Sequence, residues 1–236
     1  MIIIFIFLQT EMFSPDQILK FADHLYLEGD FSSALNEYRR YLFLGDRGIQ
    51  EVNEKIVDCL MRLKRYDEAI LATKFFTDTT KAVYARSSVY LLKGDYSIVR
   101  DLLKNRIDTP ESRRLIGLSY AGEFNFSKAK EFIDLPIPQP RHKSPLLGGL
   151  LSLFPGGGHF YCGRVGDGIY SMLVIATGSL VAYYYYHEDE NTEFYVALGV
   201  SLVFYAGNIY GGINSVHNYN YYENAKYREM IFNNNQ

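Results

Sequence analysis

The chain has 236 residues, a formal net charge of −3 and a hydrophobic fraction of 48%, enough to bury one or two cores. No large basic patch is present, so composition gives no footing for a nucleic-acid partner. Charge is unevenly spread: residues 1–143 hold 21 of the 24 Lys and Arg and 20 of the 27 Asp and Glu, leaving 3 and 7 for residues 144–236.

The first segment, "MIIIFIFLQTEMFS", carries an apolar run from Ile2 to Leu8 with no Lys or Arg before it. A secretory signal needs a basic start, an apolar stretch and a small-residue cleavage site, and only a short apolar stretch is present. Residues 1–14 are read as a signal or anchor segment. Cys59 and Cys162 fall one in each half, so their spacing gives no disulfide framework.

Residues 15–134 are self-similar. "LYLEGDFSSALNEY" from Leu25, "LMRLKRYDEAILAT" from Leu60, "YLLKGDYSIVRDLL" from Tyr90 and "YAGEFNFSKAKEFI" from Tyr120 each place an aromatic (Phe31, Tyr66, Tyr96, Phe126) three residues before a small or slender one (Ala34, Ala69, Val99, Ala129). The aromatics are 35, 30 and 30 residues apart, which predicts four helical hairpins. Gly29 and Gly94 suit the left-handed end of a first helix, and Asp30, Asp95 and Asn125 can accept from free N–H groups at the start of a second. Arg65 cannot, so the second hairpin is expected to cap through Asp67 or water. The pattern resembles the tetratricopeptide repeat, with spacings shorter than the usual ~34 residues. That resemblance implies a solenoid that presents a groove to a protein or peptide partner. Tyr26, Arg39, Arg40, Arg62, Lys64 and Arg65 are the candidate partner-binding surface.

Residues 135–145, "LPIPQPRHKSP", hold four of the seven prolines and read as a stiff extended linker. The remainder, 146–222, is read as a membrane module, followed by a polar tail over 223–236. Residues 168–186 and 194–222 contain no Asp, Glu, Lys or Arg, and about 20 apolar residues cross a bilayer. Spans are therefore expected over about 168–186 and 194–214, with tyrosines at their ends suited to the headgroup layer. The glycine-rich first segment, 146–162, either crosses or dips in and returns, and its backbone groups must then be satisfied by protein.

Within "PGGGHFYCGRVGDGIYSML" the residues Pro155, Gly156, Gly158, His159, Tyr161, Gly163 and Gly168 form the motif of this half. It resembles small bacterial membrane modules with a Pro-Gly-x-Gly-x-x-Tyr-x-Gly core, related to the two-transmembrane domain family. The resemblance implies a multi-pass protein of the bacterial inner membrane with helical repeats joined to a small bundle, and says little about activity. Three crossings, which agree with a signal segment, place the repeats in the periplasm, and this is the expected arrangement; the alternative of two crossings leaves them in the cytoplasm. The acidic loop Glu188 to Glu193 suits the outer side, and Arg164, Lys226 and Arg228 the inner.

Chemistry was sought in three places. The glycine loop lacks the Gly-Lys-Ser/Thr ending and the strand-to-helix frame of a phosphate cradle. His159 and Cys162 are two metal-ligand types without a second pair. "GLSYA" at Gly117 falls inside a repeat helix, where a nucleophile elbow cannot form. No catalytic, cofactor-binding or metal-binding residue is assigned. The expected fold is all-α: a helical-repeat solenoid followed by a transmembrane helical bundle, working as a membrane-anchored scaffold, or alternatively as an accessory factor for transport, secretion or insertion.

Overall fold

Helix starts in the first half are set by short polar side chains. Ser14 Oγ accepts from Gln17 N and the Ser14 N–H donates to Gln17 Oε1 in return, with Pro15 at the first helical position; the Asp78 and Thr109 side chains also accept from first-turn amides, Thr109 again followed by a proline. Each side chain takes up amide groups that the helix leaves free, and proline loses nothing at a position where its missing N–H is not needed.

The computed structural model describes residues 13–44, 49–135 and 139–235, and among these it contains helices and no strand. The chain divides into two compact units, Met1–Leu135 and Pro136–Gln236. The apolar leader lies outside the described residues apart from its last two positions.

The first unit consists of helices α1 (Pro15–Leu27), α2 (Phe31–Leu44), α3 (Gln50–Arg62), α4 (Tyr66–Ala72), α5 (Thr79–Lys93), α6 (Tyr96–Leu103), α7 (Pro110–Gly122) and α8 (Phe126–Ala129), with one short 3-10 turn at Thr73–Phe75. Each packs on the next in chain order, and α5 also touches α3 and α7. Ala34, Ala69, Val99 and Ala129 are all fully buried: each is the small residue that lets the second helix of a hairpin approach the first. Among the described residues these helices follow one another as four pairs.

The joints inside the four pairs share one shape. Gly29, Lys64, Gly94 and Phe124 each take a positive φ of 58° to 90°. The amide after each bonds back five residues, from Asp30 to Leu25, Arg65 to Leu60, Asp95 to Tyr90 and Asn125 to Tyr120. This is the left-handed closure that satisfies the last carbonyls of a helix. Asp30 and Asn125 then cap the following helix through Ser33 N and Lys128 N. Asp95 does not cap; it leans 3.7 Å from Lys93. Asp67, expected to cap the second joint, pairs instead with Lys93 at 2.8 Å.

The second unit consists of α9 (Pro145–Leu151), α10 (Gly157–Tyr161), α11 (Val165–His187) and α12 (Asn191–Asn234). Two of them, α11 and α12, are long and apolar enough to cross a membrane, and only 17% of each apolar window is buried by protein. Residues 142–144 are not free linker. Lys143 N donates to Asn220 Oδ1 at 2.8 Å, Asn220 Nδ2 donates to the Lys143 carbonyl at 2.9 Å, and His142 meets Asn224 at 2.8 Å. Nor does α12 stop at 214: with no Pro or Gly after Gly212 it runs on as one helix into the expected polar tail.

Candidate functional site

Two places hold the residues singled out by sequence. In the first unit the six candidates fall into separate groups. Tyr26 donates to Asp58 at 2.5 Å, Arg62 lies 3.5 Å from the same carboxylate, and the Arg62 guanidinium sits over the Phe31 ring. That bond and burial push the Tyr26 phenol up to about 12. Arg65 grips Glu68 through two bonds of 2.7 Å, and Arg39 reaches it at 3.2 Å. These two cations, Arg65 foremost, hold the Glu68 carboxyl below the usual range. Arg40 pairs with Glu37 at 3.5 Å. Lys64 is spent on backbone shape, at the second hairpin joint. Their bonds thus group Tyr26 with Arg62 through Asp58 and Arg39 with Arg65 through Glu68.

What the structure adds is an apolar groove of about 450 Å³ between α2, α3 and α4. Leu42, Phe43, Ile56, Leu71 and Phe75 line it, and the Arg39–Glu68 pair stands at its edge. Phe43 is 76% exposed and Phe75 68%, large apolar rings that a charged repeat surface ordinarily hides. Sequence reading missed them because at helical spacing an apolar residue reads as core.

The second place is the glycine motif. It is neither one crossing helix nor a loop: α9 and α10 are short helices folded back on each other. A Cβ on Gly158 would stand 2.2 Å from Ser152 Oγ and 2.6 Å from the Gly148 carbonyl, so only hydrogen permits this contact. Gly156 turns the chain with φ +81°, and a Cβ there would meet the Gly168 carbonyl at 2.2 Å. The two ends of the hairpin return to one level: Lys143 Nζ donates to the Tyr161 carbonyl at 2.6 Å and lies over the Tyr161 and Tyr219 rings.

The hairpin is fastened to α12 by polar side chains at successive heights. At its tip, Asn208 accepts from Gly156 N at 2.9 Å and donates to the Ser152 carbonyl at 2.7 Å, while the Tyr205 hydroxyl donates to the Leu153 carbonyl at 2.8 Å. Midway, Ser215 Oγ meets His159 Nδ1 at 2.9 Å and receives Arg164 Nη1 at 3.2 Å. Arg164 also pairs with Asp167 at 2.6 Å. Of the motif, Gly156, Gly158, His159 and Gly168 meet in the packing; Tyr161 closes the hairpin base, Pro155 sits in its turn, and Gly163 (φ +76°) forms the joint into α11. Sequence reading did not nominate Asn208 or Ser215. The signal available was polarity inside an uncharged run, which in an apolar setting demands a partner.

Cys59 and Cys162 are both buried and unpaired with each other; burial pushes the Cys59 thiol up to about 11. Among the described residues no three His, Cys, Asp or Glu side chains gather as a metal site. No protein-family profile matches the chain, and no curated protein is similar enough to stand as a relative.

Proposed function

We propose that the chain is a membrane-anchored adaptor, in which α11 and α12 cross the bilayer and the helical hairpins, stacked as a tetratricopeptide-like solenoid, dock a protein partner. One observation carries the reading: a groove of about 450 Å³ gathers the exposed Phe43, Leu71 and Phe75 on one lining. The occupant is a protein segment with two or three apolar side chains on one face, oriented at its end by Arg39 and Glu68. Few proteins leave such rings in water without a use.

The anchor reading rests on α11 and α12, whose apolar windows are only 17% covered by protein; a soluble core helix of that composition would be enclosed. Hairpin geometry favours two crossings. Its legs rise about 10 Å and 8 Å at 1.5 Å per residue, too little to span, and both ends lie near Tyr161. The hairpin then enters and leaves from the side that carries Arg164, Lys226 and Arg228, opposite the acidic loop at Glu188. By the positive-inside tendency that side is cytoplasmic, which favours cytoplasmic repeats over the periplasmic placement.

The test is site-specific photo-crosslinking in cells, with a photoreactive residue at Phe43 and, as control, at Lys104. Discrete adducts from Phe43 alone, abolished by Phe75→Glu, support docking in the groove; equal labelling from both positions sinks it. A second reading is favoured by the polar fastening of the hairpin, which is more elaborate than an anchor needs: an accessory factor for transport or insertion with the bundle as its active part. Replacing residues 139–236 by an unrelated two-span anchor separates them, because an adaptor keeps its adducts and its cellular role and a transport factor loses the role.

A further inference from the structure

Beside the hairpin lies a cavity of about 180 Å³, bounded by α10, α11 and α12. Val174, Ile175 and Phe204 make its apolar wall, and His159, Asn208, Ser171 and Tyr170 line it with polar groups. Which atoms His159 and Asn208 offer follows from the bonds around them. Arg164 is a donor only, so Ser215 Oγ accepts from it. Ser152 and Ser201 each donate to the carbonyl four residues back; Ser215 makes no such bond, so its proton goes to His159 Nδ1. With Nδ1 accepting the serine proton, His159 carries its own on Nε2, the edge that a Cβ at Gly211 would meet at 3.1 Å. Asn208 has spent its oxygen on Gly156 and one amide proton on Ser152, leaving a second proton uncommitted. Both residues are more than nine-tenths buried. Both line the cavity, so an acceptor lodged there meets donors from each.

We propose that this cavity binds an acyl chain through its carbonyl oxygen, which accepts from His159 Nε2 and Asn208 Nδ2 while the first methylenes lie against Val174, Ile175 and Phe204. The volume holds about six groups of water or methylene size. Polarity along α12 matches such a molecule: Lys143 sits at the level of Asn220, Arg164 at Ser215, the imidazole at Gly211 and the apolar wall at Phe204. The inference rests on the reading that this unit lies in the bilayer.

The experiment uses the full chain in nanodiscs with two photoreactive probes, a diazirine-bearing phosphatidylethanolamine and a diazirine-bearing free palmitate, and maps adducts by mass spectrometry. Gly207→Leu fills the cavity, since a Cβ there meets nothing within 4 Å, and Gly199→Leu on the same helix is equally free of clashes but does not line it. Adducts on Val174, Ile175 or Phe204, unchanged in Gly199→Leu and lost in Gly207→Leu, are expected; the probe that gives them identifies an esterified lipid or a free acid as the source. His159→Gln, which retains a donor, should keep them, and His159→Leu should lower them about ten-fold. Equal adducts in Gly207→Leu and Gly199→Leu, or none on the cavity wall from either probe, overturn the proposal. Resistance of the protein to carbonate extraction from membranes separates the cases: an embedded chain with no wall adduct rejects the acyl site alone, and an extracted one rejects the bilayer reading as well.

Discussion

Lys64 and Gly29 occupy the same place in successive hairpins, yet only glycine adopts positive φ without steric cost. The lysine backbone stores strain of about 1 kcal/mol or somewhat more. Lys64→Gly should therefore raise stability by about 0.5–1 kcal/mol after the greater chain freedom of glycine is subtracted, and Gly29→Ala should lower it by about 1 kcal/mol. Denaturant unfolding of the full chain in detergent measures both. Gly29 and Gly94 were legible as joints because glycine advertises the conformation; Lys64 and Phe124 were not, since nothing in either side chain does. A second expectation concerns phenols. Tyr38 is fully buried with its hydroxyl donating to Asp23 at 2.6 Å, and burial foremost raises its pKa further than that of Tyr26, which lies at about 12. A folded pKa above the unfolded value means stabilisation that is complete below pH ~10 and lost as pH climbs through the folded value. In the pH-stability profile, Tyr26→Phe should remove part of the decline between about pH 10 and 12; an unchanged slope there would contradict the assignment.

Among the elements, the α9–α10 hairpin depends most on a residue remote from it in sequence. Asn208 alone satisfies the Gly156 amide and the Ser152 carbonyl, and losing it strands two buried backbone groups at about 1–3 kcal/mol each. Asn208→Leu should loosen the hairpin and speed proteolysis near Pro155, with a lower thermal midpoint in detergent. Asn208→Asp keeps the acceptor and should cost less than leucine. Failure of Asn208→Leu to alter either readout would show that the hairpin stands without its clamp. Composition marked the glycine segment as special and left crossing and returning both open. The fold-back of α9 on α10 is held by a side chain fifty-two residues away, whose role depends on tertiary packing that no local pattern encodes. The length of α12 went unread for the opposite reason: hydropathy falls after residue 214, but helix propensity does not.

For the whole molecule, the charge census put the boundary near residue 143 and the structure divides the chain after Leu135; the difference is the tract whose prolines read as linker and whose last residues dock on α12. The proposed two crossings make a direct expectation. In a background with Cys59→Ala and Cys162→Ala, single cysteines at Lys93 and Asn233 should react with an impermeant thiol reagent only after lysis, and one at Glu190 in intact cells. Reaction of all three in intact cells, or of Lys93 and Asn233 on opposite sides, would reject the two-crossing arrangement. Helix content and the two long apolar helices were legible from spacing and charge; the groove at Phe43 and the polar clamp were not, because the groove's rings read locally as core and Asn208 and Ser215 find their partners only through tertiary packing.

The docking of residues 142–144 has a mechanical consequence. Tension applied through the connecting tract meets the His142–Asn224 contact and the reciprocal Lys143–Asn220 bonds before it reaches Pro145. The load passes sideways into a rod of forty-four residues, and the glycine hairpin behind it is spared. Tugging on the first unit therefore strains α12 while the tightly packed turn at Gly156 stays at rest, an arrangement resembling a cable clamped to a mast ahead of a delicate connector.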